Sequence, residues 1–449
     1  MNRSEIKVGF VSLGCSKNLV DTEVMLAKLV DAGYQITPED VDADIIIVNT
    51  CAFIESAKKE AIDSILDVAW LKEHRSLKGI VVTGCLAERY QNQIFEEIPE
   101  VDAVIGVGSL DRIVGAVDSV AQGRKFSAFD DKNASKLGGE RIVTTPEYTA
   151  YLKIAEGCNN CCTYCAIPSI RGKFRSRPME DIVNEAKELE ALGVKELNII
   201  AQDTTRYGQD LYGEYKLAEL IRAICDATKI PWIRLLYCYP DKVTDELIAE
   251  IRDNDRVVKY IDLPIQHISD KVLRAMNRHG DAALVKSVIQ KFKDEIPDIC
   301  IRTTVIVGFP GETDEDFEEL CEYIKEAEFD RLGAFTYSRE EDTPAYDFDD
   351  QIDEQTKQNR YDIIMREQLH ISEAKNEKLI GKKIRVLCEA YDSVAEIYYG
   401  RSASDAPDID TKVYFKNALG KKRIAPGTFI DVEIEEAVDY DLIGKTVTK

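Results

Sequence analysis

Cys158, Cys162 and Cys165 stand at C-x-x-x-C-x-x-C spacing directly after a strand-like run, Tyr151 to Ala155. One loop presenting three thiolates can hold three irons of a [4Fe-4S] cube and leave the fourth iron open to an exchangeable ligand, which makes that corner a place for chemistry. Two plainer uses of the thiols compete. The chain has 12 cysteines, enough for a disulfide framework, but Met1 to Lys7 is followed by no long apolar run and no cleavage site. Without export, disulfides are rare, and a cytoplasmic location is expected. Zinc also suits closely spaced thiolates, yet no fourth Cys or His pair lies at the usual spacing of structural zinc sites. Cys161 intrudes in the loop, so the residues alone leave open which of its four thiols ligate.

A second set of thiols is spread along the first hundred residues. Val8 to Leu13, Asp44 to Val48 and Gly79 to Thr83 are strand candidates rich in Val and Ile, and each runs into a cysteine: Cys15, Cys51 and Cys85. In open parallel sheets ligands collect outside the carboxyl ends of the strands, so these three could converge on a second metal site. A buried core thiol is the alternative for each of them taken singly.

Further candidates follow. Gln202 and Asp203 lie just past the strand candidate Glu196 to Ile200, where a barrel aims side chains at its ligand; capping of a buried loop is the competing use. Gly308 and Gly311 sit in a strand-to-helix turn with Thr313 as a helix N-cap, which is weak evidence of a site by itself. His267 either contacts substrate or is a structural hydrogen-bonder. Arg171, Lys173, Arg175 and Arg177 form a basic run, for which a solvated face is the commoner explanation and a grip on a carboxylate the sharper one.

These residues need a scaffold. Residues 5–121 alternate short apolar runs with helical patterns, as in βαβ units, and predict a small doubly wound α/β domain. Met25, Leu26, Leu29 and Val30 share a predicted helical face, with Gly33 at its C-terminal end. The polar stretch Phe126 to Thr149 reads as a linker. Residues 144–375 hold six strand candidates separated by helical patterns such as Met179 to Leu192 and Leu217 to Ala227, which predicts a partial (β/α)6 barrel with its chemistry at the carboxyl ends. Residues 377–445 turn to short strands and predict a five-stranded antiparallel β-barrel, with Gly400-Arg401-Ser402 at a turn.

Composition bounds the partners. A formal net charge of −24 argues against a broad nucleic-acid surface and suits a basic partner or simple solubility. From Leu379 to Lys449 there are 11 Lys plus Arg and 12 Asp plus Glu, a poor balance for gripping phosphates. No stretch approaches the length of a membrane span.

The loop Gly157-Cys158-Asn159-Asn160-Cys161-Cys162-Thr163-Tyr164-Cys165-Ala166-Ile167-Pro168 resembles the cluster loop of the radical S-adenosylmethionine superfamily. Leu13-Gly14-Cys15-Ser16-Lys17-Asn18 and Val48-Asn49-Thr50-Cys51-Ala52-Phe53 resemble the N-terminal domain of the methylthiotransferases within it, and the last segment resembles a TRAM domain. The resemblance implies a [4Fe-4S] cluster on Cys158, Cys162 and Cys165 that cleaves S-adenosylmethionine, and an auxiliary [4Fe-4S] cluster on Cys15, Cys51 and Cys85 where sulfur is methylated. It also implies that the turn of Gly308 and Gly311 packs against the cofactor's adenine. Ala201-Gln202-Asp203-Thr204-Thr205, Gln266-His267 and Gly400 to Pro407 are similar to the branch that modifies an aspartate of the small-subunit ribosomal protein S12. The rivals are a tRNA adenosine methylthiotransferase, which should retain tRNA with a steep salt dependence, and a non-catalytic iron-sulfur scaffold, which should never cleave the cofactor.

Overall fold

The computed structural model describes residues 2–38, 40–418, 420 and 423–447. Strands β1 (Lys7–Ser12), β2 (Gln35–Ile36), β3 (Ile45–Thr50), β4 (Gly79–Gly84), β5 (Ala103–Ile105) and β6 (Phe126–Ala128) form a sheet in the order β2-β1-β3-β4-β5-β6, parallel throughout. Central β3 and β4 are buried along their whole length, which is why they read as unbroken apolar runs and not as an alternation. Helix α1 (Ser16–Asp31) buries Met25, Leu26 and Leu29, but Val30, expected on the same face, is 43% exposed. Gly33, at φ +91°, ends the helix in a Schellman pattern: its N–H donates to Val30 O and that of Tyr34 to Leu29 O.

The stretch expected to be a linker departs from that expectation in two ways. Its first residues are β6, paired with β5. The rest has no regular structure yet is strapped down: Arg141 pairs with Glu23 at 2.8 Å and Glu185 at 2.9 Å, and Lys132 with Glu88 at 2.8 Å. Polar sequence without periodicity reads as loose chain, but ion pairs hold it here.

The second sheet contains β7 (Thr149–Lys153) and, beyond a small antiparallel pair, β8 (Ala155–Glu156) with β9 (Arg175–Ser176), the strands β10 (Glu196–Ile200), β11 (Trp232–Leu235), β12 (Val257–Asp262), β13 (Cys300–Val307) and β14 (Arg331–Thr336). Its order is β14-β13-β12-β11-β10-β7, parallel throughout. This is the predicted six-unit partial barrel. Its outer face carries the large apolar core shared with helices Met179–Ala191 and Leu217–Ala227.

Strands β15 (Lys383–Asp392), β16 (Ile397–Ser402), β17 (Val413–Lys416), β18 (Phe429–Val438) and β19 (Asp441–Thr446) close a barrel in the order β15-β16-β17-β19-β18. Its β17–β19 seam is parallel, which corrects the expectation of a wholly antiparallel barrel. Gly400-Arg401-Ser402 is the end of β16 and not a turn. The segment after it plugs the base of the six-stranded barrel. Arg401 pairs with Glu196 at 2.5 Å and Arg331 with Asp405 at 2.7 Å, while the Cys300 thiol donates to Ser404 O. Glu196, Cys300 and Arg331 each open a strand, so this plug lies at the end opposite the carboxyl termini. No helix among the described residues is long and apolar enough to cross a membrane.

Candidate active site at the mouth of the barrel

β1, β3 and β4 are parallel neighbours, so their carboxyl ends deliver Cys15, Cys51 and Cys85 side by side. Two glycines permit the approach. A Cβ on Gly14 (φ +87°) would lie 2.7 Å from Cys51 Cβ, and one on Gly84 (φ +90°) 2.3 Å from Asn49 Oδ1. Asn18 Nδ2 donates to Leu13 O at 2.7 Å and to Thr50 O at 3.2 Å, tying the first two strand ends together. Burial pushes the Cys51 thiol up to about 12, with the neighbouring Cys85 adding to it, and raises Cys85 against the pull of Arg171. Cys15 moves the other way: burial works to raise it, but Lys17 and Arg171 together hold it below the ordinary thiol value.

The second thiol set sits in a loop clasped at its base by the β8–β9 pair. Each thiol meets a donor: the Asn160 N–H reaches Cys158 Sγ at 3.4 Å, the Tyr239 hydroxyl lies 3.4 Å from Cys162 Sγ, and the Ile167 N–H reaches Cys165 Sγ at 3.5 Å. Donors aimed at sulfur are what tunes a thiolate-bound cluster. Cys161 is exposed and at φ +50°, whereas Cys162 is buried. Burial pushes Cys158 up to about 12 and Cys165 upward as well, so metal entry here displaces protons.

All twelve cysteines are free thiols. Among the described residues no three His, Cys, Asp or Glu side chains stand close enough to hold a single metal ion. A cube carries its irons on separate corners and takes its thiolates from farther apart, and each set here offers three thiols with donors or cations turned toward sulfur. The residues therefore fit [4Fe-4S] clusters better than mononuclear zinc.

Gln202 and Asp203 are brought to the cysteine loop and engaged by it. Gln202 Nε2 donates to Glu156 Oε1 at 2.5 Å; Asp203, fully buried, accepts from Asn160 Nδ2 at 2.8 Å and Arg206 Nε at 3.0 Å. Gly308 (φ +73°) donates its N–H to Glu312 Oε2, and Gly311 donates to Asp350 O. Between them Phe309 joins a small core with Val272, Met276 and Tyr337, against which Tyr164 of the cysteine loop packs. His267 is fully buried; its Nδ1 accepts from the Ser269 N–H at 3.0 Å.

The basic run is not one solvated face. Arg171 and Arg177 are buried, while Lys173 is exposed. Arg171 Nη1 lies 2.5 Å from Asp21 Oδ2 and 3.2 Å from Glu156 Oε2, and its Nη2 lies 3.6 Å from Cys85 Sγ. Sequence reasoning missed Tyr237 and Tyr239 altogether, although two aromatics at the carboxyl end of a barrel strand were a legible signal. Lys17 Nζ lies 3.2 Å from the centroid of the Tyr237 ring, and Tyr239 touches Cys162. One strand end thus reaches both thiol loops.

Fold and site together define a radical S-adenosylmethionine enzyme of the methylthiotransferase class. Residues 152–324 match the radical SAM superfamily, 7–106 the uncharacterized protein family UPF0004, and 380–447 the TRAM domain. Among curated relatives, the ribosomal protein uS12 methylthiotransferase RimO of Acetivibrio thermocellus is 47% identical, covering 99% of both chains. That of Geobacter sulfurreducens is 46% identical over 100% of both. The chain belongs to the RimO family of ribosomal protein uS12 methylthiotransferases. Among solved structures, the radical S-adenosylmethionine methyltransferase TsrM from Kitasatospora setae, with cobalamin and a [4Fe-4S] cluster bound, shares the fold at a TM-score of 0.57 and 13% identity over 77% of each chain.

Proposed function

We propose that this protein attaches a methylthio group to the β-carbon of an aspartate in ribosomal protein uS12, using two molecules of S-adenosylmethionine. The observation that carries this reading is the end of β11: Tyr237 faces the Cys15 loop through Lys17, and Tyr239 faces the Cys162 loop. A reaction that needs hydrogen abstraction and sulfur delivery at one carbon requires two sites on one cavity mouth, since proximity sets the rate. When bound, [4Fe-4S] clusters on Cys158, Cys162 and Cys165 and on Cys15, Cys51 and Cys85 supply, with S-adenosylmethionine, those two halves of the chemistry.

The chain's own residues orient the site. Gln202 and Asp203 act as positioning residues that fix Glu156 and Asn160 on either side of Cys158. The Gly308–Gly311 turn, with Phe309 set against the Tyr164 side of the loop, borders the cofactor's adenosine. Residues 5–121 carry the sulfur-donating site, 144–375 the radical site, and 377–445 a TRAM domain that closes the barrel base and leaves the mouth for substrate. A net charge of −24 suits docking on a basic ribosomal protein in the cytoplasm.

The test is mass spectrometry after anaerobic incubation of the reconstituted protein with S-adenosylmethionine, sulfide and reductant, with uS12 and bulk tRNA in one tube. A methylthio mass gain on a uS12 aspartate is expected. The same gain on tRNA adenosine would overturn the reading.

A further inference from the structure

Helix α2 (Glu55–His74) buries Ala61, Ile65, Val68 and Ala69 in the core of the first domain. A helix packed on a sheet ordinarily turns polar residues outward. α2 also carries a second apolar row: Ile62, Leu66 and Trp70, at i, i+4 and i+8, are between 40% and 51% exposed on one line of its outer side. Single exposed apolar residues are common on any surface, but an aligned row that ends in a tryptophan has the make-up of an interface core. The Trp70 ring is already fixed. It stacks on His74 with centroids 4.6 Å apart and planes at 14°, so little side-chain freedom remains to be lost when a partner covers it.

An acidic row runs beside the apolar one. Asp63 and Asp67 follow Ile62 and Leu66 by one residue each, Glu60 stands one turn ahead of Asp63, and all three are exposed. Like charges at this spacing destabilise a helix, and nothing in the protein relieves them. Buried Lys58 is taken by Glu55 and Glu340, and no ion pair among the described residues reaches Glu60, Asp63 or Asp67. Lys59 is the single exposed cation between Glu55 and Leu71. Apolar side chains flanked by unpaired carboxylates complement a polypeptide that carries Lys or Arg next to apolar residues, and they repel the phosphates of a nucleic acid.

This face starts at the mouth of the site. The Glu55 N–H donates to Ser338 Oγ at 3.4 Å and Lys58 Nζ lies 3.2 Å from Glu340 Oε2, both on the loop that follows β14. Arg89 ties the same loop to the Cys51 end of β3, with Nη1 donating to Ala52 O at 3.1 Å and Nη2 to Glu341 O at 2.6 Å. Glu341, Asp342 and Asp347 of the loop line an open cleft of about 620 Å³, so acidic groups flank the mouth as well as the helix. Trp70 lies about 22 Å along the helix axis from Glu55, too far for the reacting residue of a substrate to touch it.

We propose that the outer face of α2 docks a basic, partly apolar segment of the substrate protein, distinct from the segment that carries the reacting aspartate. This rests on the uS12 reading above and deepens it. Docking at a distance from the mouth holds the substrate protein near the site without using the groups that act on the aspartate, and it selects a folded basic protein over tRNA.

The experiment measures binding of labelled uS12 to the full-length, cluster-loaded protein by fluorescence anisotropy, for the wild type, a Leu66→Ser/Trp70→Ala variant and an Asp63→Lys/Asp67→Lys variant, with iron content and methylthiolation kinetics for each. Both variants are expected to keep full iron, to bind uS12 at least tenfold more weakly, and to raise the KM for uS12 with kcat within twofold. Added salt should weaken binding to the wild type more than to the charge-reversed variant. Wild-type affinity retained by either variant would overturn the assignment to α2 and leave the uS12 reading standing. A wild type that is a dimer and variants that are monomers in gel filtration would make a second copy the occupant, and would overturn the assignment in the same way. A wild type that neither binds nor modifies uS12 would overturn both.

Discussion

Arg171 joins the two halves of the site with one side chain: its Nη2 lies 3.6 Å from Cys85 Sγ, while its Nη1 lies 2.5 Å from Asp21 Oδ2 and 3.2 Å from Glu156 Oε2. Asp21 is on α1 and Glu156 is two residues ahead of Cys158. Lys153 pairs with the same two carboxylates, so two cations and two carboxylates share a buried network with a thiol at its edge. Such a network is both a mechanical link between domains and a source of charge beside sulfur.

Arg171→Met leaves Asp21 and Glu156 with Lys153 as their remaining buried cation. Removing one partner from a buried charge network costs about 3–5 kcal/mol, which should appear as a lower urea midpoint. Arg171→Lys keeps the charge but loses the planar fork, so it should cost less. It should also make the reduction potential of the proposed auxiliary cluster more negative, because hydrogen bonds to the sulfurs favour the reduced state. Redox titration followed by electron paramagnetic resonance checks this; an unchanged potential would mean that Arg171 acts on structure alone.

Cys85→Ala should halve the iron content and abolish methylthiolation while S-adenosylmethionine is still cleaved, because the Cys158 loop does not use this thiol. Gly14→Ala should give the same pattern without touching a ligand. Its Cβ would meet Cys51 Cβ at 2.7 Å in a left-handed conformation, which must part the Cys15 loop from Cys51. Iron analysis, 5′-deoxyadenosine release and methylthio product read both variants; full product from Cys85→Ala would remove the auxiliary role from this thiol set, and full product from Gly14→Ala would show that the loop accommodates the Cβ.

Arg401→Met should loosen the C-terminal barrel from the base of the central one. Glu196 is fully buried between Arg234 and Arg401; burial works to raise its pKa, but Arg401 and then Arg234 hold it below the usual carboxylate range. Loss of one cation from that pair should cost about 3–5 kcal/mol. Little of it should return in Arg401→Met with Glu196→Gln, because Arg234, fully buried, then loses the carboxylate it pairs with. Limited proteolysis between residues 377 and 383 is the check, since this connection is already exposed and undocking frees it to extend into a protease.

Much of this was legible in the chain because strand-end cysteines and unbroken Val and Ile runs depend on local sequence. β3, β4, β10 and β13 fall within a residue or two of their expected limits. Other features depend on pairing that sequence cannot display. Arg171 looked like one of four surface cations, and only Asp21, some 150 residues away, shows why it is buried. Gly400-Arg401-Ser402 looked like a turn, yet the polar groups of the Gly400–Pro407 segment are consumed by Glu196, Arg234 and Arg331 at the foot of the neighbouring barrel. β19 was missed because Asp-Leu-Ile-Gly-Lys-Thr is half polar, as suits a strand with one buried face.

His267 gives a pH dependence with a definite sign. Burial lowers its pKa to about 4, with Arg360 adding to the shift and Asp316 opposing it. The facing carboxylate, Glu312 Oε2, is 3.7 Å from Nε2. A histidine whose folded pKa lies below its unfolded value near 6.5 binds fewer protons when folded, so its contribution is fully present above about pH 6.5 and is lost as pH falls toward 4. Glu312 pulls in the opposite direction: burial raises it to about 7, so its own contribution weakens as pH rises across the same window. The comparison must therefore be between proteins. His267→Asn retains an acceptor for the Ser269 N–H but cannot titrate. Between pH 4.5 and 6.5 the stability of the wild type, from urea unfolding, should fall relative to His267→Asn by up to about 3 kcal/mol as the acid limit is approached. Parallel curves for the two proteins would show that the imidazole is not held neutral by its burial.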